Sequence, residues 1–160
     1  MKTFNDSAGR TWTIAINVDA IKRVEGLIKG VNLANLTSGD PPLLTRLETD
    51  VVLLCDAIFA LVKPQADQLS VTDEEFGRAM GGDAIMAAHD DFWQELTDFF
   101  RQLRRTDTAR AIEKHAALVK ATVEAIEQRV ETLDTSAVIQ KALGSSAGSL
   151  PESPASTPAP

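Results

Sequence analysis

The chain has 160 residues, 44% hydrophobic and 24% charged, with 16 Lys and Arg against 23 Asp and Glu for a net charge of −7. That suffices for one domain with a sizeable core, and its acidity argues against nucleic acid or anionic membrane as default partners. One cysteine, Cys55, excludes an internal disulfide and a cysteine zinc site, and two histidines with no tyrosine leave little from which to build a catalytic constellation.

Met1–Phe4 reads as a short extended stretch and Asp6–Gly9 as a turn, with Gly9 free to take positive φ. Arg10–Ile16 then alternates, placing Trp12, Ile14 and Ile16 on one face, which predicts a half-buried strand and hence a β-hairpin. Asn17 is a helix N-cap; Ile21, Val24, Leu27 and Ile28 recur at helical spacing, and Gly30 ends the helix. After a loop closing on Asp40-Pro41-Pro42, Pro42 opens a short helix through Leu47. Thr49 or Asp50 caps the next, Val51–Val62, apolar nearly all round and so expected at the centre, with Lys63-Pro64 as its stop.

Thr72 and Glu75 have capping-box spacing ahead of a short helix, Asp73–Met80. Gly81-Gly82 breaks the chain, and Ile85, Ala88, Phe92, Leu96, Phe99 and Leu103 mark a helix of roughly 20 residues. From Thr106 or Asp107 a last helix carries Ala109, Ile112, Ala116, Val119, Val123, Ile126, Val130, Leu133 and Ala137 at alternating three and four, a heptad seam. The two long helices are expected to form a hairpin. From Gly144 to Pro160 Ser, Pro and Ala dominate, and only Leu150 is large and apolar, which predicts a disordered tail after a single domain over residues 1–143. The expected fold is mainly α: an N-terminal β-hairpin, a compact helical bundle ending in a long helical hairpin, and the tail.

The polar Met1–Arg10 lacks a secretory signal's apolar core, and the longest apolar run, Val51–Val62, is broken by Asp56 and falls short of the roughly 20 residues of a membrane span. A soluble, cytoplasmic protein is therefore expected. Asn35-Leu36-Thr37 matches a glycosylation sequon by chance on that reading.

Candidate chemistry is sparse. Gly144–Gly148 fits G-x-S-x-G, but sits in the Ser-rich tail rather than on the strand-to-helix turn that the motif requires. His89, Asp90, Asp91 and Glu95 read as a solvated acidic face rather than a metal site, and His115 as an exposed helical histidine. Cys55 reads as a buried inert thiol, and Gly81-Gly82-Asp83 as a turn without the Lys-Ser/Thr of a P-loop. No metal, cofactor or catalytic residue is assigned, and an enzyme is the least favoured class.

Charge is uneven: Asp67–Asp98 holds nine acids against Arg78 alone, whereas Arg101, Arg104, Arg105 and Arg110 form a basic corner opposed only by Asp107. That corner suits a helix C-terminus or a docking partner better than a phosphate backbone. Phe92 and Trp93, then Phe99 and Phe100, widen the apolar arc of their helix; this is either core or a groove for a partner's apolar segment. Phe92, Trp93, Phe99, Phe100, Arg101 and Arg104 are thus the candidate partner-binding residues. The heptad seam is either core or a self-association surface.

Val71–Met80, Gly82–Ile85 and Glu95–Phe100, with Gly9–Ile14 and Asp19–Val24, resemble phage and prophage tail assembly chaperones. Arg101 stands where that family usually has a proline after its paired phenylalanines. The resemblance implies a non-enzymatic protein of the host-cell cytoplasm, absent from the finished virion. Such a protein coats the long tape-measure protein and helps recruit tail tube subunits, and some members also occur in a frameshifted, extended form. On this expectation the aromatic cluster contacts tape-measure helices and the N-terminal hairpin contacts tube or chaperone subunits. The alternative is a small oligomerising structural or regulatory protein, head–tail or nucleic-acid-associated, acting through the C-terminal seam.

Overall fold

A computed structural model describes residues 1–132. It is mainly helical behind an antiparallel hairpin: β1 (Lys2–Asn5), β2 (Thr11–Ile14), α1 (Val18–Leu27), α2 (Leu43–Thr49), α3 (Val51–Gln68), α4 (Asp73–Ala79), α5 (Asp83–Gln102) and α6 (Thr106–Thr132). Two units divide at Ala116, the second beginning at Ala117. Leu133, Ala137, the residue-143 boundary and the tail from Gly144 lie outside the described residues. Among the described residues no helix is long and apolar enough to cross a membrane.

The hairpin pairs Phe4 with Trp12 and Lys2 with Ile14, and the alternation buries Phe4, Trp12 and Ile14 together. Its turn closes through Asp6 N–H to Arg10 O (2.9 Å) and Gly9 N–H to Asp6 O (3.0 Å), with Gly9 at φ 77°. The fully buried Asp6 carboxylate gathers four donors: Arg10 Nε at 2.6 Å, Trp12 Nε1 at 2.9 Å, and the backbone N–H groups of Ala8 and Arg10 at 3.0 and 2.9 Å. Burial alone would raise its pKa, but the bonds from Trp12 and Arg10 outweigh it and leave the carboxyl below its ordinary range. The turn is tied to α4 by Ser7, whose N–H and Oγ–H both donate to Ala79 O, at 3.0 and 2.8 Å.

The caps form as their spacings require. Asn17 Oδ1 accepts from Ala20 N–H, Asp50 Oδ1 from Val52 and Leu53 N–H, and Thr72 and Glu75 complete a reciprocal capping box. At the start of α5, Gly82 takes φ 57° and ψ −125°, a conformation that a Cβ would strain. Two helices end in Schellman turns built on a non-glycine left-handed residue. At Ser70 (φ 54°), Val71 N–H reaches Ala66 O at 2.8 Å; at Arg104 (φ 57°), Arg105 N–H reaches Phe100 O at 2.9 Å. Leu103, expected in the buried stripe, is instead the exposed C-cap of α5.

One helix end differs from expectation. α3 does not stop at Lys63-Pro64 but runs on to Gln68. Pro64 removes the N–H that would bond Ala60 O, and Arg23 of α1 replaces it, its Nη1 donating to Ala60 O at 3.2 Å and Leu61 O at 3.0 Å. The extra turns bring Gln65 to the open edge of β2, where its amide accepts from Thr13 N–H (2.9 Å) and donates to Thr13 O (2.7 Å). The loop before α2, which includes a cis Asp40–Pro41 bond, supplies Val31, Leu33 and Leu36 to the core, none of them marked by periodicity.

α3 is the hub, contacting α1, α2, α4, α5 and β2. Its Ala57, Ile58 and Val62 are fully buried, and Trp12 meets Phe76 edge-on at 5.2 Å, with Phe59 5.3 Å from Phe76. In the first unit α6 begins against this core: Ala109 and Ile112 are buried, and Arg101 of α5 pairs with Glu113. The hairpin expected of the long helices extends, within that unit, as far as these contacts.

Asp6→Asn places an amide N–H against the donors of Arg10 and Trp12 and should cost about 3 kcal/mol in denaturant unfolding. Because the folded carboxyl has the depressed pKa, its stabilisation is present above the unfolded value near 3.9 and is lost as pH falls through the folded value. The variant's stability should therefore fall less steeply than the wild type's below about pH 4.

Candidate functional site

The four candidate rings lie on α5, which is covered by β1 and by α3. A helix with two such neighbours buries a wider arc than one stripe, and Phe92, Trp93, Phe99 and Phe100 are 0%, 6%, 9% and 1% exposed. The adjacent rings meet edge-on, Phe92 on Trp93 at 5.1 Å and Phe99 on Phe100 at 5.4 Å. As core residues Phe92, Phe99 and Phe100 offer a partner almost no surface, and Trp93 offers only the little that lines a neighbouring groove, which corrects the expectation that the four rings form a contact face.

A groove nevertheless lies beside them. It holds about 420 Å³, and its apolar floor is the edge of Trp93 with Ile112 and Ala116 of α6. Lys2, Asp98, Arg101 and Glu113 form its rim, and Gln94 and Thr97 complete the lining. The rim charges neutralise one another: Asp98 accepts from Arg101 Nη1 at 3.2 Å and lies 3.6 Å from Lys2 Nζ, while Arg101 Nη2 pairs with Glu113. Such a groove suits an apolar segment without a strong charge of its own.

Of the six residues singled out from sequence, Trp93 and Arg101 line the groove. Phe92, Phe99 and Phe100 are core, and Arg104 holds the left-handed turn position after α5, outside the lining. Ile112, Ala116 and Lys2 were missed. Lys2 joins the site only through the fold, because no spacing in the chain relates β1 to α5; Ile112 and Ala116 belong to the seam of the helix expected beside α5 but were not assigned to the site. The basic corner is also partly consumed: Arg101 is paired twice, and Arg105 lies over the Phe100 ring at 5.6 Å.

Behind Trp93 lies a polar cluster joining α2 to α5. Trp93 Nε1 donates to His89 Nε2 at 3.0 Å, and the same nitrogen lies 3.3 Å from Oε1 of Glu48, whose side chain is 6% exposed. His89 Nδ1 is 3.1 Å from Asp90. The bond to Glu48 raises the histidine's pKa, burial opposes it, and Asp90 adds to the rise. One nitrogen cannot both accept from Trp93 and donate to Glu48, so the neutral ring serves Trp93 and the imidazolium serves Glu48. His89 is thus half-buried in a tertiary cluster rather than on a solvated face.

Glu95, expected near His89, is buried elsewhere and accepts from Ile16 N–H at 3.3 Å. His115 is half-buried rather than exposed. Burial, with Asp56 and Asp73 nearby, pushes the half-buried Cys55 thiol up to about 11, which leaves little thiolate at neutral pH. Among the described residues no group of three or more His, Cys, Asp or Glu side chains could hold a metal ion.

Phe100→Ala should cost about 3–5 kcal/mol in denaturant unfolding, and a Trp93→Ser/Phe100→Ser protein should lose its cooperative melt by circular dichroism. A native melt would show that the rings are dispensable to the core. By NMR titration His89 should have its midpoint above the ordinary value near 6.5, and Glu48→Gln should lower that midpoint.

Comparison with protein-family models, curated proteins and solved structures finds no match to this chain.

Proposed function

We propose that this protein is a non-enzymatic tail assembly chaperone of a phage or prophage. On this reading it binds apolar segments of a tape-measure protein and helps recruit tail tube subunits in the host-cell cytoplasm. The observation that carries it is the open groove floored by Trp93, Ile112 and Ala116 and rimmed by mutually neutralised charges. An apolar helical segment lying there is sheltered from water without having to match a charged pocket. The motif segments that resemble the chaperone family support the same reading, since they fall on β2, α1, α4 and parts of α5, and α5 forms one wall of the groove. The net charge of −7 would keep a chaperone–client complex dispersed. The buried rings act indirectly here, holding Trp93 and α5 in place. The hairpin is assigned to contacts with tube or chaperone subunits.

Affinity capture from cells carrying the native gene neighbourhood, read by mass spectrometry, should recover a very long helical protein, with or without a tube subunit. Recovery of bait alone, or of nucleic-acid machinery, would overturn the proposal. Gln94 lies on the groove's exposed side. Gln94→Arg projects a long cation over the floor and should reduce capture about tenfold while changing stability by less than about 0.5 kcal/mol.

A further inference from the structure

The seam of α6 beyond Ala116 is apolar and open to solvent. Val123, Ile126 and Val130 are 47%, 55% and 61% exposed, and Val119 is half-buried. With Val123 and Val130 at a and Val119 and Ile126 at d, the positions flanking the stripe are Lys120 and Glu127 at e and Thr122 and Arg129 at g, all exposed. An amphipathic helix face of this kind gains by covering its stripe with another of matching period.

We propose that this face pairs with the same face of a second copy of the chain, antiparallel, about a two-fold axis between Val123 and Ile126. In that register Val119 stacks on Val130 of the second copy and Val123 on its Ile126, and symmetry repeats both layers. Among the described residues every exposed seam position finds a partner, and neither of the buried positions, Ala109 and Ile112, is asked to leave the core. The e-position charges favour one direction. In an antiparallel pair e faces e and g faces g, so Lys120 of each copy meets Glu127 of the other, giving two opposite-charge contacts, and Arg129 lies opposite the uncharged Thr122. In a parallel pair Lys120 would face His115 and Glu127 would face Thr122, so neither Lys120 nor Glu127 would meet an opposite charge. An isologous contact of this kind closes at two copies and does not propagate into a filament. The seam from Val119 to Val130 spans only 12 residues, so the dimer is reversible rather than obligate. The inference stands apart from the groove of the first unit and does not depend on what that groove binds.

Sedimentation of the full chain from micromolar to millimolar concentration should show a monomer–dimer equilibrium. Ile126→Glu should weaken association at least about tenfold, with helicity and melting unchanged because the side chain is already exposed. Lys120→Glu turns both attractive contacts repulsive and should weaken the dimer about fivefold at low salt. Adding Glu127→Lys to the same chain restores opposite charges across the antiparallel pair and should recover wild-type association to within about twofold. A monomer at every concentration, an oligomer indifferent to Ile126→Glu, or a double variant no better than the single one would overturn the proposal. So would α6-dependent capture of a different protein by a chain that stays monomeric.

Discussion

The hairpin against which α5 packs is held by the buried carboxylate of Asp6. Asp6 enters the core with its charge intact because Trp12, Arg10 and two backbone N–H groups surround it with donors. An uncompensated carboxylate there would be expelled or neutralised. Once satisfied, it fixes the hairpin turn and orients the Trp12 indole against Phe76. A two-stranded hairpin is marginal by itself. Here Ser7 ties it to α4, Gln65 occupies its free edge, and Glu95 receives the chain where β2 gives way to α1.

That hairpin decides what α5 can present. Because β1 and α3 both cover α5, two aromatic stripes that might have formed a docking face become interior. Part of the surface left to α5 is the strip of Trp93, Gln94, Thr97, Asp98 and Arg101, and the start of α6 turns it into a groove. The rings still shape that surface mechanically: a wall backed by close-packed aromatics holds its form, so a partner binding there would lose less ordering entropy. Trp93 links this wall to Glu48 of α2 through His89, so the protonation state of one imidazole decides whether that nitrogen serves the groove wall or the neighbouring helix.

The two units place their apolar surface differently. In Met1–Ala116 most large apolar side chains are buried, and the remaining apolar strip is narrow and rimmed by paired charges. In the described part of the second unit the seam residues Val123, Ile126 and Val130 are exposed and Lys120 and Glu127 stand beside them. The first arrangement suits a guest without strong charge, the second a surface that reads its partner's charge pattern.

Much of this was legible in the chain because it is written in local chemistry. Alternation around Trp12 and Ile14 specified the strand. Asn17, Asp50 and the Thr72–Glu75 pair specified helix starts, Gly9 and Gly82 supplied positive φ, and the three-four spacings of α5 and α6 marked their apolar faces. Each of these signals acts over four residues or fewer along the backbone, the range over which sequence order dictates which groups meet. The remainder was decided by groups that are distant in the chain and adjacent in space. Pro64 breaks a helix in isolation; it does not break α3, because Arg23 lies across the freed carbonyls. Glu48 finds His89 forty-one residues away, and Lys2 reaches the groove rim beside α5 and α6. Whether Phe92, Trp93, Phe99 and Phe100 are surface or core follows from how many neighbours α5 has. Helical period shows which side chains share a face; only tertiary packing determines how many faces are covered.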